Sequence, residues 1–66
     1  MIIMVIIDTE RSAYSAEEAG KKSITVGELI EILSEYDEDD VVITGHDNRY
    51  TYGHIESYSV EYYEES

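Results

Sequence analysis

Cysteine, proline, phenylalanine and tryptophan are all absent from this chain of 66 residues, and only four residues are basic. Without cysteine there is no disulfide to staple a small fold, which fits a reducing cytoplasm, and there is no thiolate for metal binding or nucleophilic catalysis. Without Phe or Trp, any core must come from Ile, Val, Leu and the seven Tyr, a residue that can be half buried with a wet hydroxyl. Four cations against 16 carboxylates leave a net charge of −12, with a pI near 4.1. Almost no Lys or Arg remains to neutralise phosphates, which argues against direct nucleic-acid binding.

Acidity on this scale opposes compaction through self-repulsion, so it calls for a use beyond solubility. It points to a basic partner, or to one that ordinarily binds polyanions. A hydrophobic content of 42 % separates the chain from acidic disordered tails. Residues 1–66 read as one small domain, with no internal repeat. The run Met1–Ile7 is much shorter than the roughly 20 residues of a membrane helix. It lacks the basic flank of a signal peptide, so a cytoplasmic protein without a membrane partner is expected.

Ile2 to Ile7 are apolar without alternation and mostly β-branched, which predicts a strand covered on both faces, either a central one or one covered by a second subunit. A polar, flexible connection follows over residues 9–23. It holds Arg11, Lys21 and Lys22, and Ser15-Ala16-Glu17-Glu18 within it has the spacing to cap one short helix before Gly20. The strongest local signal is Ile24-Thr25-Val26-Gly27-Glu28-Leu29. Thr25 and Glu28 make a capping box, and Ile24 and Leu29 occupy the positions of a hydrophobic staple. A helix from Val26 to about Tyr36 then carries Val26, Leu29, Ile30 and Leu33 on one stripe. Glu28, Glu31, Glu35 and Glu38 lie opposite.

Val41 to Thr44 read as a strand, Asp47-Asn48-Arg49 as a turn, Tyr50 to Ile55 as the returning strand and Ser57 to Tyr63 as a last one. A three-residue loop pairs His46 with Tyr50 and Thr44 with Tyr52, and gathers Val41, Ile43, Gly53 and Ile55 on a clean core face. A two-residue loop mixes polar and apolar residues on both faces. The expected fold is therefore α+β: a small antiparallel or mixed sheet in the order β-α-β-β-β, with one helix packed on one face. One helix cannot cover both faces of the first strand, which makes a homodimer through the sheet a reasonable expectation.

Asp37-Glu38-Asp39-Asp40 follows the helix C-terminus directly, where the macrodipole disfavours negative charge. A local rule broken in a small protein is a pointer to function, although a solvated Asp-rich turn gives the same residues. With Glu28, Glu31 and Glu35 the run makes an acidic ridge whose neighbouring carboxylates are spaced roughly 5–6 Å apart, comparable with backbone phosphates. Calcium does not fit, because Val41 and Val42 stand where an EF-hand loop needs a ligand and a glycine. Zinc does not fit either, since the preferred register separates His46 and His54 by about 13 Å. No phosphate loop or nucleophile elbow is present, so neither an enzyme nor a cofactor is expected.

The stretch from Ile24 to Leu33, followed by Tyr36-Asp37 and then Val41 to Tyr52, resembles small acidic proteins of phages and mobile elements. In size and charge the chain resembles anti-CRISPR and anti-restriction inhibitors, several of which imitate DNA. The resemblance implies a class of role and assigns no residues. The expectation is an acidic, non-enzymatic inhibitor that occupies the cationic nucleic-acid site of a bacterial defence protein. Glu28, Glu31, Glu35, Asp37, Glu38, Asp39 and Asp40 would meet its cations, and Tyr36, Tyr50 and Tyr52 would serve as desolvated anchors. The alternatives are an adaptor module using the Tyr-rich hairpin or a sheet edge, and a halophile's protein whose acidity suits its environment.

Overall fold

A computed structural model describes residues 2–64. Strand β1 (Val5–Asp8) leads through a long connection to helices α1 (Ala16–Lys22) and α2 (Val26–Leu33). Strands β2 (Val42–His46) and β3 (Thr51–His54) and a single 3₁₀ turn (Ser57–Ser59) complete the order. The sheet is mixed. β2 lies in the middle, parallel to β1 with Val5 opposite Val42, and antiparallel to β3 with Gly45 opposite Tyr52. The α+β class and the mixed sheet match the expectation, while the element order does not.

Both helices begin where local chemistry directs. The Ser15 hydroxyl accepts from the Glu18 N–H at 3.2 Å, starting α1. At α2 the capping box closes: Thr25 Oγ1 accepts from the Glu28 N–H at 3.2 Å, and Glu28 Oε1 accepts from the Thr25 N–H at 3.1 Å. The α-helix ends at Leu33, three residues earlier than predicted, because the chain tightens into i→i+3 bonds from Glu35 to Ile32 and from Tyr36 to Leu33. α1 is the short helix expected within the connection, but it runs through Gly20 to Lys22 and does not end there.

The hairpin register departs from the expected one. Ile43 pairs with His54 and Thr44 with Gly53, so Ile43 shares a face with a histidine and the predicted apolar face is broken up. Two polar clusters account for this, each leaning over a glycine. On one face Arg49 reaches across Gly45 to grip Asp8 with two bonds, Nε to Oδ1 at 3.1 Å and Nη2 to Oδ2 at 2.9 Å. A Cβ on Gly45 would stand 2.5 Å from Asp8 Oδ1 and 3.3 Å from Arg49 Cγ. On the other face His46 bridges two hydroxyls, Thr9 Oγ1 at Nδ1 and Thr44 Oγ1 at Nε2, both at 3.0 Å. A Cβ on Gly53 would come within 2.6 Å of Thr44 Oγ1. The loop adapts to this register: Asp47, Asn48 and Arg49 all have positive φ, between 51° and 65°. The Tyr50 N–H donates to the carbonyls of both His46 and Asp47. Asp and Asn tolerate that conformation best after glycine. Arg49, which does not favour it, is held there by Asp8.

Three further expectations fail. β1 is an edge strand, not a central one, and it begins at Val5; Ile2 and Ile3 lie exposed before it, at 84 % and 67 %. Residues 57–63 form no strand: Ser57–Ser59 make a 3₁₀ turn, closed by the Ser59 N–H on the Glu56 carbonyl and by the Glu56 N–H on Ser59 Oγ. Nor does α2 close onto the sheet: no Cα of either helix comes within 8 Å of a strand Cα. Gly45 is the one fully buried residue among those described, and every tyrosine is exposed. The radius of gyration is 13.4 Å, against about 10.8 Å for a compact chain of this length.

Two glycine substitutions should therefore act in opposite directions. Gly45→Ala must displace the Asp8–Arg49 pair and should destabilise by about 1–3 kcal/mol. Gly20→Ala, with nothing within 4 Å of the added carbon inside α1, should stabilise by about 0.5–1 kcal/mol. Urea unfolding followed by circular dichroism reads both signs.

Candidate partner-binding surface

The acidic residues singled out in the sequence, Asp39 apart, line two grooves beside α2 and the turn that follows it. Glu28, Glu31 and Glu35 border a shallow groove of about 300 Å³ with Ile24 and Ile32. Successive carboxylates on a helix face lie one turn apart, so an apolar strip here is flanked by a row of negative charge. On the side toward the sheet, Tyr36, Asp37, Glu38 and Asp40 rim a second groove of about 520 Å³. Its floor is Val5, Ile30, Leu33 and Val42. Tyr36 therefore does sit among the acids, about half exposed.

Not every carboxylate in the row is free. Glu28 is the cap of its own helix, and the Thr25 backbone N–H holds its carboxyl below the usual range, with the Thr25 hydroxyl assisting. Asp37 closes the turn after α2, with Oδ1 accepting from the Asp39 N–H at 2.9 Å and its carbonyl from the Asp40 N–H at 3.0 Å. That turn is the local structural reason for an acid in an electrostatically poor place. Glu31, Glu35, Glu38, Asp39 and Asp40 have no such bond among the described residues. The ion pairs found there lie elsewhere, Lys21 with Glu17 and Arg49 with Asp8, and His54 Nε2 lies 3.6 Å from Glu56 Oε1.

Tyr50 and Tyr52 are not part of this surface. Tyr52 pairs with Gly45 and Tyr50 closes the hairpin, at the end of β2 away from Asp40. β2 itself, five residues long, keeps the two ends apart by roughly 15 Å. Tyr50 is 84 % exposed, so the hairpin is a separate aromatic surface and the ridge retains Tyr36 as its own ring.

At that hairpin end lies a feature that local sequence patterns did not signal. Asp8, Thr9, Glu10, Arg11, Asp47 and Arg49 surround an open polar groove of about 790 Å³ over Gly45. The Asp8–Arg49 pair joins residues 41 positions apart, beyond the reach of any local pattern. Its only trace in the sequence is a lone arginine in a turn and an aspartate closing an apolar run. The Arg49 hydrogen bonds lower the Asp8 carboxyl below its usual range, and Asp8 raises Arg49 in return.

His46 and His54 sit on opposite faces of the sheet, since His54 shares a face with Ile43. Among the described residues no group of three or more Asp, Glu or His is placed to hold a metal ion, and no helix is long and apolar enough to cross a membrane. No protein-family model, curated protein or solved structure matches this chain, so its function must be read from its own residues.

Both depressed carboxyls link stability to pH with the same sign. A carboxyl whose folded value lies below its unfolded value stabilises fully above the ordinary carboxylate range, and that stabilisation fades as pH falls through the folded value. The gap in unfolding midpoint between the native chain and Asp8→Asn should be widest near neutral pH and should close below about pH 4. Glu28→Gln should behave likewise. Taking the difference between variants cancels the relief of general charge repulsion on acidification.

Proposed function

We propose that this chain is a non-enzymatic inhibitor that docks its acidic α2 surface on a cationic nucleic-acid site of another protein. The observation that carries this reading is the unbalanced row Glu31, Glu35, Glu38, Asp39 and Asp40. Glu31 and Glu35 lie beside one apolar strip and Glu38 and Asp40 beside another, with Asp39 between these two in the chain, while the cations of the described ion pairs are engaged elsewhere. Between Ser23 and Asn48 the chain has no Lys or Arg at all. Fields of one sign attract the opposite charge from a distance and speed association. Ile32, Ile30 and Tyr36 would add the desolvated contacts that hold a complex once it has formed.

The class of partner that fits is a protein whose groove ordinarily holds a nucleic-acid backbone. Carboxylates one helical turn apart meet Lys and Arg side chains that are spaced for phosphates. The resemblance to anti-CRISPR and anti-restriction proteins narrows this to a bacterial defence effector. A second reading, an adaptor that binds through its tyrosines, is favoured by the exposed hairpin rings of Tyr50 and Tyr52. Ionic screening distinguishes the two, because a charge-led complex weakens steeply as the Debye length shrinks and an aromatic one does not.

Replacing Glu31, Glu35 and Asp39 together with Lys should abolish retention of nucleic-acid-binding proteins by the immobilised chain and leave its circular dichroism unchanged. The native chain should release them in a salt gradient or to added duplex DNA. If the triple variant captures the same proteins as strongly, or if Tyr50→Ala abolishes capture and the triple variant does not, the acidic-surface reading fails.

A further inference from the structure

The chain as a monomer leaves too much surface in water. A folded monomer of its 7.6 kDa mass is expected to expose about 4,300 Å², whereas this one exposes 6575 Å². The excess, about 2,300 Å² by the same scaling, falls within the roughly 1,000–2,500 Å² that an obligate dimer removes from each partner. Small chains that cannot enclose a core alone are commonly completed by association. Part of this surface lies between the helices and the sheet, which do not pack together, and part on the apolar run Ile2–Met4 that precedes β1.

The two edges of the sheet indicate where a subunit interface lies. An open edge strand presents unpaired N–H and C=O groups, and soluble proteins guard it with Lys, Pro, a bulge or charge. β3 has such guarding: it is short, its residues Thr51, Tyr52, Gly53 and His54 are mostly polar, and Glu56 follows beside His54. β1 has none. From Ile2 to Ile7 no residue is charged, and the chain contains no proline. The backbone bonds from Val5 to Val41 and from Thr9 to Gly45 show that the odd residues bond to β2. Strand alternation then turns the N–H and C=O of Met4, Ile6 and Asp8 toward the open edge.

We propose that two copies of this chain pair their β1 strands antiparallel about a two-fold axis near Ile6, joining both sheets into one. An isologous contact closes on itself and leaves no further unguarded edge. With Ile6 opposite its own copy, Asp8 falls opposite Met4 of the partner copy, and the two Asp8 residues lie roughly 13 Å apart. Apart from Asp8, which Arg49 engages, this edge carries no charge, so two acidic bodies can meet along it without bringing carboxylates face to face. Each copy still carries −12, so added salt must strengthen this association. Salt must weaken docking on a cationic partner, so the proposed function and the dimer can fail independently.

Sedimentation equilibrium of the full chain tests the proposal directly. The expected mass is twice 7.6 kDa, with dissociation on dilution that is reduced by salt. Met4→Pro removes an outward N–H without touching the β1–β2 ladder and should shift the chain to monomer. Since the chain has no cysteine, Ile6→Cys can form only an intermolecular disulfide. Opposed residues of a bonded antiparallel pair lie about 5.5 Å apart at Cα, within disulfide range. Ile6→Cys should cross-link readily on mild oxidation, and Thr51→Cys on the other edge should not. A native chain that sediments as a monomer at every concentration and salt overturns the proposal, even if β1 pairs with another protein's strand. So does a dimer that cross-links through Thr51 and not through Ile6.

Discussion

The sheet depends on β2, and its pairing with both neighbours depends on two missing side chains, one in β2 and one in β3. Gly45 and Gly53 clear space on opposite faces, and each gap is filled from above by a polar cluster. Asp8 and Arg49 meet over Gly45, while Thr44 and His46 lean over Gly53 with Thr9 behind them. These clusters tie β1 to the hairpin where a larger protein would use interdigitated apolar side chains. The hairpin's left-handed loop and the pairing of Ile43 with a histidine follow from the register the clusters require.

Association through β1 and docking through α2 are compatible on this framework because they use different surfaces. The edge strand is free of charge up to Ile7, and the carboxylates gather on a helix that touches no strand backbone. The groove between them, floored by Val5, Val42, Ile30 and Leu33, belongs to both elements. Pairing β1 with a second copy would fix one wall of that groove and leave its acidic rim open. Acidity thus serves recognition at one place and restricts self-association to another.

Features written within a few residues were legible in the sequence, and those spanning the chain were not. The Thr25–Glu28 box and the Ser15 cap read correctly because both partners lie one turn apart. The strands around residues 5–8, 42–46 and 51–54 and the turn between the last two read correctly from β-branched runs and the Asp-Asn pair. The register did not, because apolar alternation favoured a face of Val41, Ile43, Gly53 and Ile55, while a bond between residues 8 and 49 carried more weight. The predicted strand over residues 57–63 had the pattern of a strand, but its start is taken up by a 3₁₀ turn that Glu56 and Ser59 close locally. The acidic ridge was legible as composition, but not the allocation of Asp37 to a turn and Glu28 to a cap. Nor did local reading show that Tyr50 and Tyr52 belong to the far end of the sheet.

His46 illustrates how a tie made of hydroxyls differs from one made of fixed charges. Thr9 Oγ1 gives its hydrogen to the Gly45 carbonyl, so it accepts from the ring at Nδ1, and Thr44 supplies the hydrogen at Nε2. Neither bond rests on a fixed charge, so ionic strength leaves this brace intact while it screens the Asp8–Arg49 pair on the opposite face.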